Sequence, residues 1–343
     1  MSAGITVGVV ANPASGRDIR RLVAGASVFD NAEKGNMVRR LMTGLGAAGV
    51  DRVLMMPAGD GIAESLTRNL RGRTGALREQ PLPELEFVAM PVRNDAGDTV
   101  RAVAEMRERD VAAIAVLGGD GTHRLVARHC ADVPLCALST GTNNAFPEMR
   151  EATVAGLATG LVATGQVERR EALRREKVLR VGVNGAARYD CALIDVAVTR
   201  ERWTGARALW HAGEISEVFV SFARPNAVGL SSIAGLLDPI SRSESCGMHL
   251  RLTAPEEADA VLRVPLAPGL IVPVGVEEAR RMYPGEAFPV EADGCTLALD
   301  GEREIELGPG DRAEVRLEVD GPLTIDVDAV MELAARRGLL NGM

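Results

Sequence analysis

The stretch that decides the fold is Val111-Ala-Ala-Ile-Ala-Val-Leu117-Gly118-Gly119-Asp120-Gly121-Thr122. Its first seven residues are apolar and include valine and isoleucine, a composition typical of a buried central strand in a parallel sheet. Three glycines then surround one aspartate, and Thr122 is placed to cap the helix that is predicted to follow. A strand that ends in glycines before a helix brings free backbone N–H groups to the carboxyl edge of the sheet, where open α/β folds bind phosphate. The stretch therefore predicts a phosphate site with Asp120 as its only ionisable group. The alternative is an ordinary strand–helix turn with Asp120 as a local cap.

A second candidate loop follows the first predicted strand, Ile5–Val10. The loop begins with Asn12, and its residues Ser15, Gly16 and Arg17 offer a hydroxyl, backbone amides and a cation. Such groups suit phosphate binding. On these residues alone, the segment is equally well explained as a turn.

A third candidate loop follows the strand predicted over Val133–Leu138. It reads Ser139-Thr140-Gly141-Thr142-Asn143-Asn144. Its hydroxyl and carboxamide groups suit hydrogen bonds to phosphate oxygens or to the edge of an adenine ring. The alternative is a polar surface loop between a strand and a helix.

The order of predicted elements indicates two domains, as the length of 343 residues also suggests. Strands and helices alternate up to Val111, including helices over Asp18–Phe29 and Asn31–Leu45, and this alternation predicts a doubly wound α/β domain over residues 1–149. Short β-like runs with turn signals, such as Ala192–Val198, then predict a β-rich domain over residues 150–325. A closing helix is predicted over residues 326–343, with Asp326 or Asp328 as its cap.

Composition excludes several classes of partner. Aromatic residues make up only 3% of the chain and the net charge is −8, which argues against a nucleic-acid surface. No stretch reaches the roughly 18 apolar residues of a membrane span, and the N-terminus has no signal-peptide pattern. The five cysteines are scattered, so reduced thiols in a cytoplasm and no metal site are expected. His123 and His129 would lie on roughly opposite faces of one helix, which makes a metal pair improbable.

The segment Gly118–Thr122 resembles the Gly-Gly-Asp-Gly-Thr signature shared by NAD kinases, diacylglycerol and sphingosine kinases, and phosphofructokinases. In that superfamily the aspartate acts as the base on the acceptor hydroxyl, and the glycines lie against the phosphates of ATP. The Asn-Pro-x-Ser-Gly segment that starts at Asn12 is similar to the opening of the lipid-kinase branch. Residues 141–146 are similar to Gly-x-Asn-x-Gly of NAD kinases and to Gly-Thr-Gly-Asn-Asp-Phe of lipid kinases, with Ala145 in place of the lipid-kinase aspartate.

The resemblance extends, more weakly, into the second half. Asp195 stands where NAD kinases carry an Asn-Glu or Asn-Asp pair that contacts a ribose of the acceptor, so the resemblance implies an acceptor-binding residue; a charge at a strand end is the alternative. Asp300-Gly301 resembles the Asp-Gly strand near the end of both kinase families, and a β-turn is at least as good an explanation. Ala227–Gly235 occupies the place of the segment that lines the acceptor pocket in NAD kinases, without its Thr-Gly-Ser-Thr core.

The chain is most similar to the acetoin-catabolism X subgroup of the ATP-NAD kinase-like family. Asn12–Arg21 is similar to the opening Asn-Pro-Ala-Ser-Gly-Arg-Asp-Ile-Arg-Arg of that subgroup, and Glu33–Met37 to its Glu-Lys-x-Asn-Met helix. This resemblance implies an NAD kinase-like fold whose C-terminal helix returns to the first domain. Because related kinases are commonly dimers or tetramers, it also implies a homo-oligomer.

The function predicted from the resemblance is ATP-dependent phosphoryl transfer to a hydroxyl. The expected acceptor is NAD, giving NADP, or a related small molecule linked to acetoin catabolism. Asp120 is the predicted catalytic residue and Asp195 the predicted acceptor-binding residue, and Mg²⁺ is expected to bind through the phosphates rather than through protein ligands. The predicted nucleotide-binding residues are Asn12, Ser15, Gly16, Arg17, Gly118, Gly119, Gly121, Thr122, Thr140, Gly141, Thr142, Asn143 and Asn144.

Two alternatives remain open from the sequence. The first is a kinase of another polyol or of a lipid, favoured by the lipid-kinase-like opening. The second is a nucleotide-binding regulator that binds ATP or NAD(P) without turnover. The sequence also leaves open whether the phosphate donor is ATP or polyphosphate.

Overall fold

The computed structural model describes residues 4–13, 29–58, 61–141, 143–186, 190–199, 212–290 and 294–341. The predicted helix over Asp18–Phe29 lies almost wholly outside these residues. No helix within the described ranges is both long and apolar enough to cross a membrane.

A seven-stranded sheet forms the first half of the molecule, in the order β3-β2-β1-β4-β5-β18-β6. Its first six strands are parallel, and β6 is antiparallel to β18. The central β4 is buried at every position, which agrees with its apolar sequence. The strands are β1 (Thr6–Ala11), β2 (Arg52–Met55), β3 (Glu84–Phe87), β4 (Ala113–Gly118), β5 (Leu135–Ser139), β6 (Leu173–Arg175) and β18 (Leu323–Ile325).

Helices accompany this sheet. They are α1 (Asn31–Ala47), α2 (Ile62–Arg71), α3 (Ala76–Glu79), α4 (Ala96–Glu108), α5 (Asp120–His129), α6 (Ala152–Ala163) and α7 (Arg169–Ala172). The α1 and α6 helices pack closely because glycines lie where they meet. A Cβ at Gly44 would lie 2.2 Å from the carbonyl oxygen of Thr153, and a Cβ at Gly156 would lie 2.2 Å from that of Leu41.

The C-terminal helix α9 (Val327–Arg337) returns to the first half, as predicted. Asp326 caps it by accepting a hydrogen bond from the N–H of Ala329 at 3.1 Å. Val330 and Ala334 are buried in the same core as α1 and α6. Since α6, β6 and β18 also belong to this layer, the contacts favour a first domain that includes residues just beyond 149 and just before 326. The predicted domain limits themselves stay predictions.

The second half is built from two antiparallel sheets, ordered β12-β13-β11-β10-β9-β15-β16 and β14-β17-β7-β8. Apolar residues of both sheets, including Phe219, Leu297 and Leu317, form one buried core. A second core lies under the helix α8 (Ser231–Leu237). The strands are β7 (Val178–Val183), β8 (Asp190–Ala192), β9 (Asp195–Thr199), β10 (Ile215–Val220), β11 (Gly247–Thr253), β12 (Ala260–Ala267), β13 (Leu270–Met282), β14 (Ala287–Pro289), β15 (Thr296–Leu299), β16 (Glu302–Glu306) and β17 (Ala313–Glu318).

One predicted strand, Ala192–Val198, is divided in the structure between β8 and β9. The N–H groups of Leu193 and Ile194 donate to the carboxylate of Asp300, at 3.0 and 2.7 Å, instead of to a neighbouring strand. The division therefore arises from a side chain that is distant in sequence.

Candidate active site

Asp120 begins helix α5 at the carboxyl end of β4, with Gly119 as the N-cap residue. Its carboxylate accepts hydrogen bonds from the N–H of Ala145 at 3.1 and 3.2 Å and from the N–H of Phe146 at 2.9 Å. These amides belong to the segment that follows β5. In the sheet, β1 and β4 are neighbours. From β1 the chain continues to β2 on one side of this pair, and from β4 it continues to β5 on the other side. Open α/β folds bind ligands where the strand order reverses in this way.

Thr122 does not cap helix α5, so that prediction was wrong. The N-cap residue is Gly119, three residues earlier, and no side chain caps the helix. The hydroxyl of Thr122 instead accepts a hydrogen bond from Nδ2 of Asn12 at 2.9 Å, which joins the segments after β1 and β4. Gly118 makes this arrangement possible because a Cβ there would lie 2.7 Å from Cβ of Thr122.

Lys34 of helix α1 holds the segment after β1. Its side chain is 1% exposed, and its ammonium donates to the carbonyl oxygens of Asn12 at 3.1 Å and Pro13 at 3.4 Å. Lys34 was not predicted to have a site role; its one signal in the sequence is its position as a charged residue on the apolar face of a predicted helix. Ser15, Gly16 and Arg17 lie outside the described residues.

The segment after β5 is held by its own hydrogen bonds. Ser139 donates its hydroxyl to the carbonyl oxygen of Gly141 at 2.7 Å, and Nδ2 of Asn144 donates to the Ser139 hydroxyl at 2.6 Å. Thr140 is fully buried, and its N–H donates to the carbonyl oxygen of Gly118 at 3.3 Å. Asn144 thus shapes the loop, whereas Asn143 faces the pocket described below. Thr142 lies outside the described residues.

Asp195 and Asp300 come to the same place from the second half. Asp300 adopts a left-handed φ of 50° and Gly301 one of 80°, the geometry of a tight hairpin turn between β15 and β16. The carboxylate of Asp300 accepts from three successive N–H groups, those of Leu193, Ile194 and Asp195. Asp300-Gly301 is therefore both the β-turn and a part of the site.

Arginines of helix α5 lie beside the carboxylates of Asp300 and Asp190, with Arg124 facing both and Arg128 facing Asp190. Burial raises the pKa of Asp300 to about 7, while Arg124 and the backbone donors lower it and Asp120 raises it further. Nη1 of Arg124 lies 3.8 Å from Oδ1 of Asp190, and Nη1 of Arg128 lies 2.8 Å from the same atom. The helix that starts at Asp120 is thus joined to the second half by ion pairs.

A pocket with an empty volume of about 510 Å³, open to solvent, lies between the two halves at Asp120. It brings together the predicted catalytic residue, the predicted acceptor residue Asp195 and part of the segment 227–235. Its lining residues are Asp120, Asn143, Ala145, Ile194, Asp195, Val228, Gly229, Leu230, Ser231, Leu266, Asp300 and Gly301. The carboxylates of Asp120 and Asp195 and the polar side chains of Asn143 and Ser231 can therefore address the hydroxyl groups of a ligand. The side chain of Asp300 is fully buried, and its carboxylate is occupied by backbone N–H groups.

His123 and Arg242 support this site and were not identified from the sequence as parts of it. His123 is fully buried, its Nδ1 lies 2.9 Å from the carbonyl oxygen of Gly119, and burial lowers its pKa to about 4, so the ring is neutral. Arg242 donates to the carbonyl oxygens of Ala145, at 3.1 Å, and of Phe146. No motif surrounds Arg242 in the sequence, and only its burial in the fold reveals it.

Fold and site together define an NAD kinase-like α/β protein. The family model described as "ATP-NAD kinase N-terminal domain" matches residues 7–167, and the family model described as "Acetoin catabolism protein X C-terminal domain" matches residues 177–320. Acetoin catabolism protein X of Cupriavidus necator is 46% identical over 340 residues, covering 98% of this chain and 94% of that protein. The chain belongs to the acetoin catabolism protein X family, which confirms the resemblance stated from the sequence.

A solved structure shares the fold at low sequence identity. Yeast NADH kinase complexed with NADH superposes with a TM-score of 0.50 and 14% identity, covering 100% of this chain and 90% of that chain. A candidate diacylglycerol kinase of Bacillus anthracis strain Sterne has a TM-score of 0.44 and 13% identity, over 95% and 98% of the two chains. The predicted fold class, an α/β domain followed by a β-rich domain with a returning C-terminal helix, is confirmed.

Proposed function

We propose that this protein is a kinase that transfers a phosphoryl group from ATP to a hydroxyl group of a small molecule, with NAD or NADH as the acceptor to test first. The observation that carries the proposal is the position of Asp120. Its carboxylate is held at the pocket by the amides of Ala145 and Phe146, between a glycine turn and the carboxylates of Asp195 and Asp300.

Asp120 is suited to accept the proton of the acceptor hydroxyl or to orient that hydroxyl. The two amides fix the direction of the carboxylate, and such positioning supplies much of the rate enhancement in phosphoryl transfer. Replacement of a general acid/base group costs about 10²–10⁴-fold in rate. Asp120→Asn, which keeps the shape and removes the basicity, is expected to lose activity within this range.

The glycine turn is suited to the phosphates. The space beside Gly118 admits no Cβ, and helix α5 begins at Asp120, so its first N–H groups and the positive end of its dipole are at the turn. In the proposal the phosphates lie along Gly118–Gly121, beside Asn12 and residues 140–144, with Ser15, Gly16, Arg17 and Thr142 completing the site. These assignments stay predictions.

A divalent cation fits this arrangement only with phosphate oxygens among its ligands. Within the described part of the chain, no group of three His, Cys, Asp or Glu side chains is placed to hold a metal ion. When bound, Mg²⁺ supplies neutralisation of the charge on the transferring phosphoryl group. The protein's own contribution is then to position the acceptor through Asp120 and Asp195.

One observation favours a second candidate acceptor, a small neutral polyol. The described lining of the pocket contains Asp120, Asp195 and Asp300 but no lysine or arginine. A carboxylate-lined pocket accepts hydrogen bonds from hydroxyl groups, whereas a pyrophosphate would be repelled unless it lay outside the pocket. The family name, with its reference to acetoin catabolism, agrees with a small polyol or ketol.

The test is ADP production by the purified protein with Mg-ATP and a panel of NAD, NADH, acetoin, butanediol, glycerol and a sphingoid base. Turnover with NAD or NADH that disappears in Asp120→Asn supports the first acceptor. Turnover with a polyol supports the second and keeps the mechanism. Polyphosphate in place of ATP tests the donor.

A lack of ADP production with every acceptor in the panel would contradict the kinase proposal for these acceptors. ATP or NAD binding measured by calorimetry in the same preparation would then favour the nucleotide-binding regulator. The expected homo-oligomeric state stays a prediction that light scattering can test.

A further inference from the structure

Arg242 lies in the segment between α8 and β11, and its side chain is 7% exposed. The guanidinium carbon is 4.7 Å from the ring centroid of Phe146 and 4.5 Å from that of Phe222. Both rings present their π-faces to the cation, an arrangement that stabilises a guanidinium removed from water. A charge buried in this way is costly unless it is paired and hydrogen-bonded.

The polar partners of Arg242 come from the first half of the molecule. Nη2 donates to the carbonyl oxygen of Ala145 at 3.1 Å and to that of Phe146. Nη1 lies 3.4 Å from Oε1 of the buried Glu176, which also accepts a hydrogen bond from the hydroxyl of Thr324 at 2.6 Å. Arg242 is therefore fixed by a charge, two rings and two carbonyl groups.

The same two residues, Ala145 and Phe146, donate their N–H groups to Asp120. The carbonyl of Ala145 and the N–H of Phe146 belong to one peptide group. A cation that binds the carbonyl oxygen polarises this group and makes its N–H a stronger donor, because hydrogen bonds in series strengthen one another. The chain of contacts thus runs from Arg242 through one peptide group to the carboxylate of Asp120.

We propose that Arg242 is a positioning residue for Asp120, which orients and polarises the Ala145–Phe146 peptide group so that its N–H directs the carboxylate into the pocket. This inference rests on the proposed function for the role of Asp120 in the reaction. The contact chain itself can be tested without turnover.

The first experiment labels the protein with ¹⁵N-phenylalanine. The chain has six phenylalanines, so the spectrum has six amide signals, and Phe146→Tyr identifies the signal of Phe146 by removing it. Because the N–H of Phe146 donates to Asp120, the pH titration of this amide is expected to follow the ionisation of Asp120 and to disappear in Asp120→Asn. In Arg242→Met the amide is expected to move upfield and its titration midpoint to rise by about one pH unit, since hydrogen bonds to a carboxylate favour its charged form.

Arg281→Met is the matched control. Arg281 donates to Asp238 at 2.6 and 2.9 Å and so holds the same segment of the second half, but its described hydrogen bonds do not reach Ala145 or Phe146. Its substitution is expected to leave the Phe146 titration at the wild-type midpoint. Arg242→Lys, which retains one cationic donor, is expected to give a midpoint between those of wild type and Arg242→Met.

The second experiment measures turnover with the acceptor found by the ADP assay. Arg242→Met is expected to lower kcat at least tenfold with the KM for ATP unchanged. The acidic limb of its kcat–pH profile is expected to move to higher pH by the same number of pH units as the NMR midpoint. Arg242→Lys is expected to restore part of kcat. The double variant Arg242→Met/Glu176→Gln removes the buried uncompensated charge and provides a folded protein if the single variant does not fold.

A Phe146 midpoint that is the same in wild type, Arg242→Met and Arg281→Met would overturn the proposal, even if the melting temperature of Arg242→Met were lower. Failure of the proposed function is distinguishable from this result. A wild-type protein without turnover contradicts the kinase function, whereas the NMR titration still decides whether Arg242 acts on Asp120.

Discussion

Nε of Arg124 lies 3.8 Å from Oδ2 of Asp300, in a contact between helix α5 and the turn that joins β15 to β16. The Asp300 side chain is fully buried and that of Arg124 is 8% exposed. Burial opposes ionisation of Asp300 more strongly than Arg124 and the backbone N–H groups of Leu193 and Ile194 favour it, so the pKa of Asp300 is raised to about 7. The protonation state of this carboxyl, and with it the attraction between the two halves, therefore changes near neutral pH.

The first prediction concerns stability and pH. Between about pH 4 and pH 7 the folded protein keeps a proton on Asp300 that the unfolded chain has released, so Asp300 makes the free energy of unfolding fall as pH rises through this window. Relative to Asp300→Asn, the unfolding free energy of wild type is expected to fall by about 2–3 kcal/mol between pH 5 and pH 8. Urea unfolding at four pH values measures the difference.

Asp311→Asn serves as the control for this titration. The pKa of Asp311 lies below its usual value because Asn184 donates a hydrogen bond to it, so its contribution is constant above pH 5. The difference in unfolding free energy between wild type and variant should therefore be independent of pH for Asp311→Asn and should fall with rising pH for Asp300→Asn. A flat difference for both would show that Asp300 is already ionised at pH 5.

The second prediction compares two arginines of the same helix. Arg124→Gln leaves the buried Asp300 without its ion pair, and breaking a buried pair costs about 3–5 kcal/mol. Arg128→Gln removes an ion pair to Asp190 from a side chain that is 38% exposed, and such pairs contribute about 0–1 kcal/mol. Thermal and urea unfolding at pH 8 compare the two, and equal losses would contradict the unequal roles given to them.

The glycine turn and its sheet were predictable because their signals are local. Seven apolar residues followed by Gly118–Thr122 specify a buried strand, a turn and a helix without reference to the rest of the chain. The N-cap lies at Gly119, three residues before the predicted Thr122, and Thr122 hydrogen-bonds to Asn12 rather than to its own helix. A capping residue chosen from local sequence fails where a distant side chain offers a better partner.

The supporting residues were not predictable in the same way. Arg242 contacts Phe146, and Asp300 contacts Leu193, only because the chain folds. Each pair is separated by about a hundred residues in the sequence. Nothing in the local sequence distinguishes Arg242 from a solvent-exposed arginine, whereas Asp300 was singled out only by the resemblance of Asp300-Gly301 to a kinase segment. Asp300-Gly301 did carry a turn signal, and the turn formed, but its burial at the site depends on how the two halves pack.

The third prediction tests the packing of α1 on α6, which places Lys34 beside the Asn12 segment. Gly156→Ala introduces a Cβ 2.2 Å from the carbonyl oxygen of Leu41, and backbone cannot move aside as a flexible side chain can. A net loss of about 1–3 kcal/mol in unfolding free energy is expected, despite the higher helix propensity of alanine. Gly213→Ala, where a Cβ meets nothing within 4 Å, is the control and should change stability by less than about 0.5 kcal/mol.

The fourth prediction separates acceptor binding from nucleotide binding. Asp195 lies in the pocket with Asp120, is 6% exposed, and its carbonyl accepts the N–H of Asp300 at 2.9 Å, so its backbone is held independently of its side chain. Asp195→Asn keeps the shape of that side chain and removes its charge. It is expected to raise the KM for the acceptor at least tenfold, because a hydrogen bond to a charged group contributes about 1.5–3 kcal/mol, while the calorimetric Kd for ATP stays at the wild-type value. Asp311→Asn, at an exposed turn, should change neither quantity. An Asp195→Asn protein that loses ATP affinity and retains the acceptor KM would place the donor, not the acceptor, on this side of the pocket, and would reverse the orientation of substrates proposed for the site.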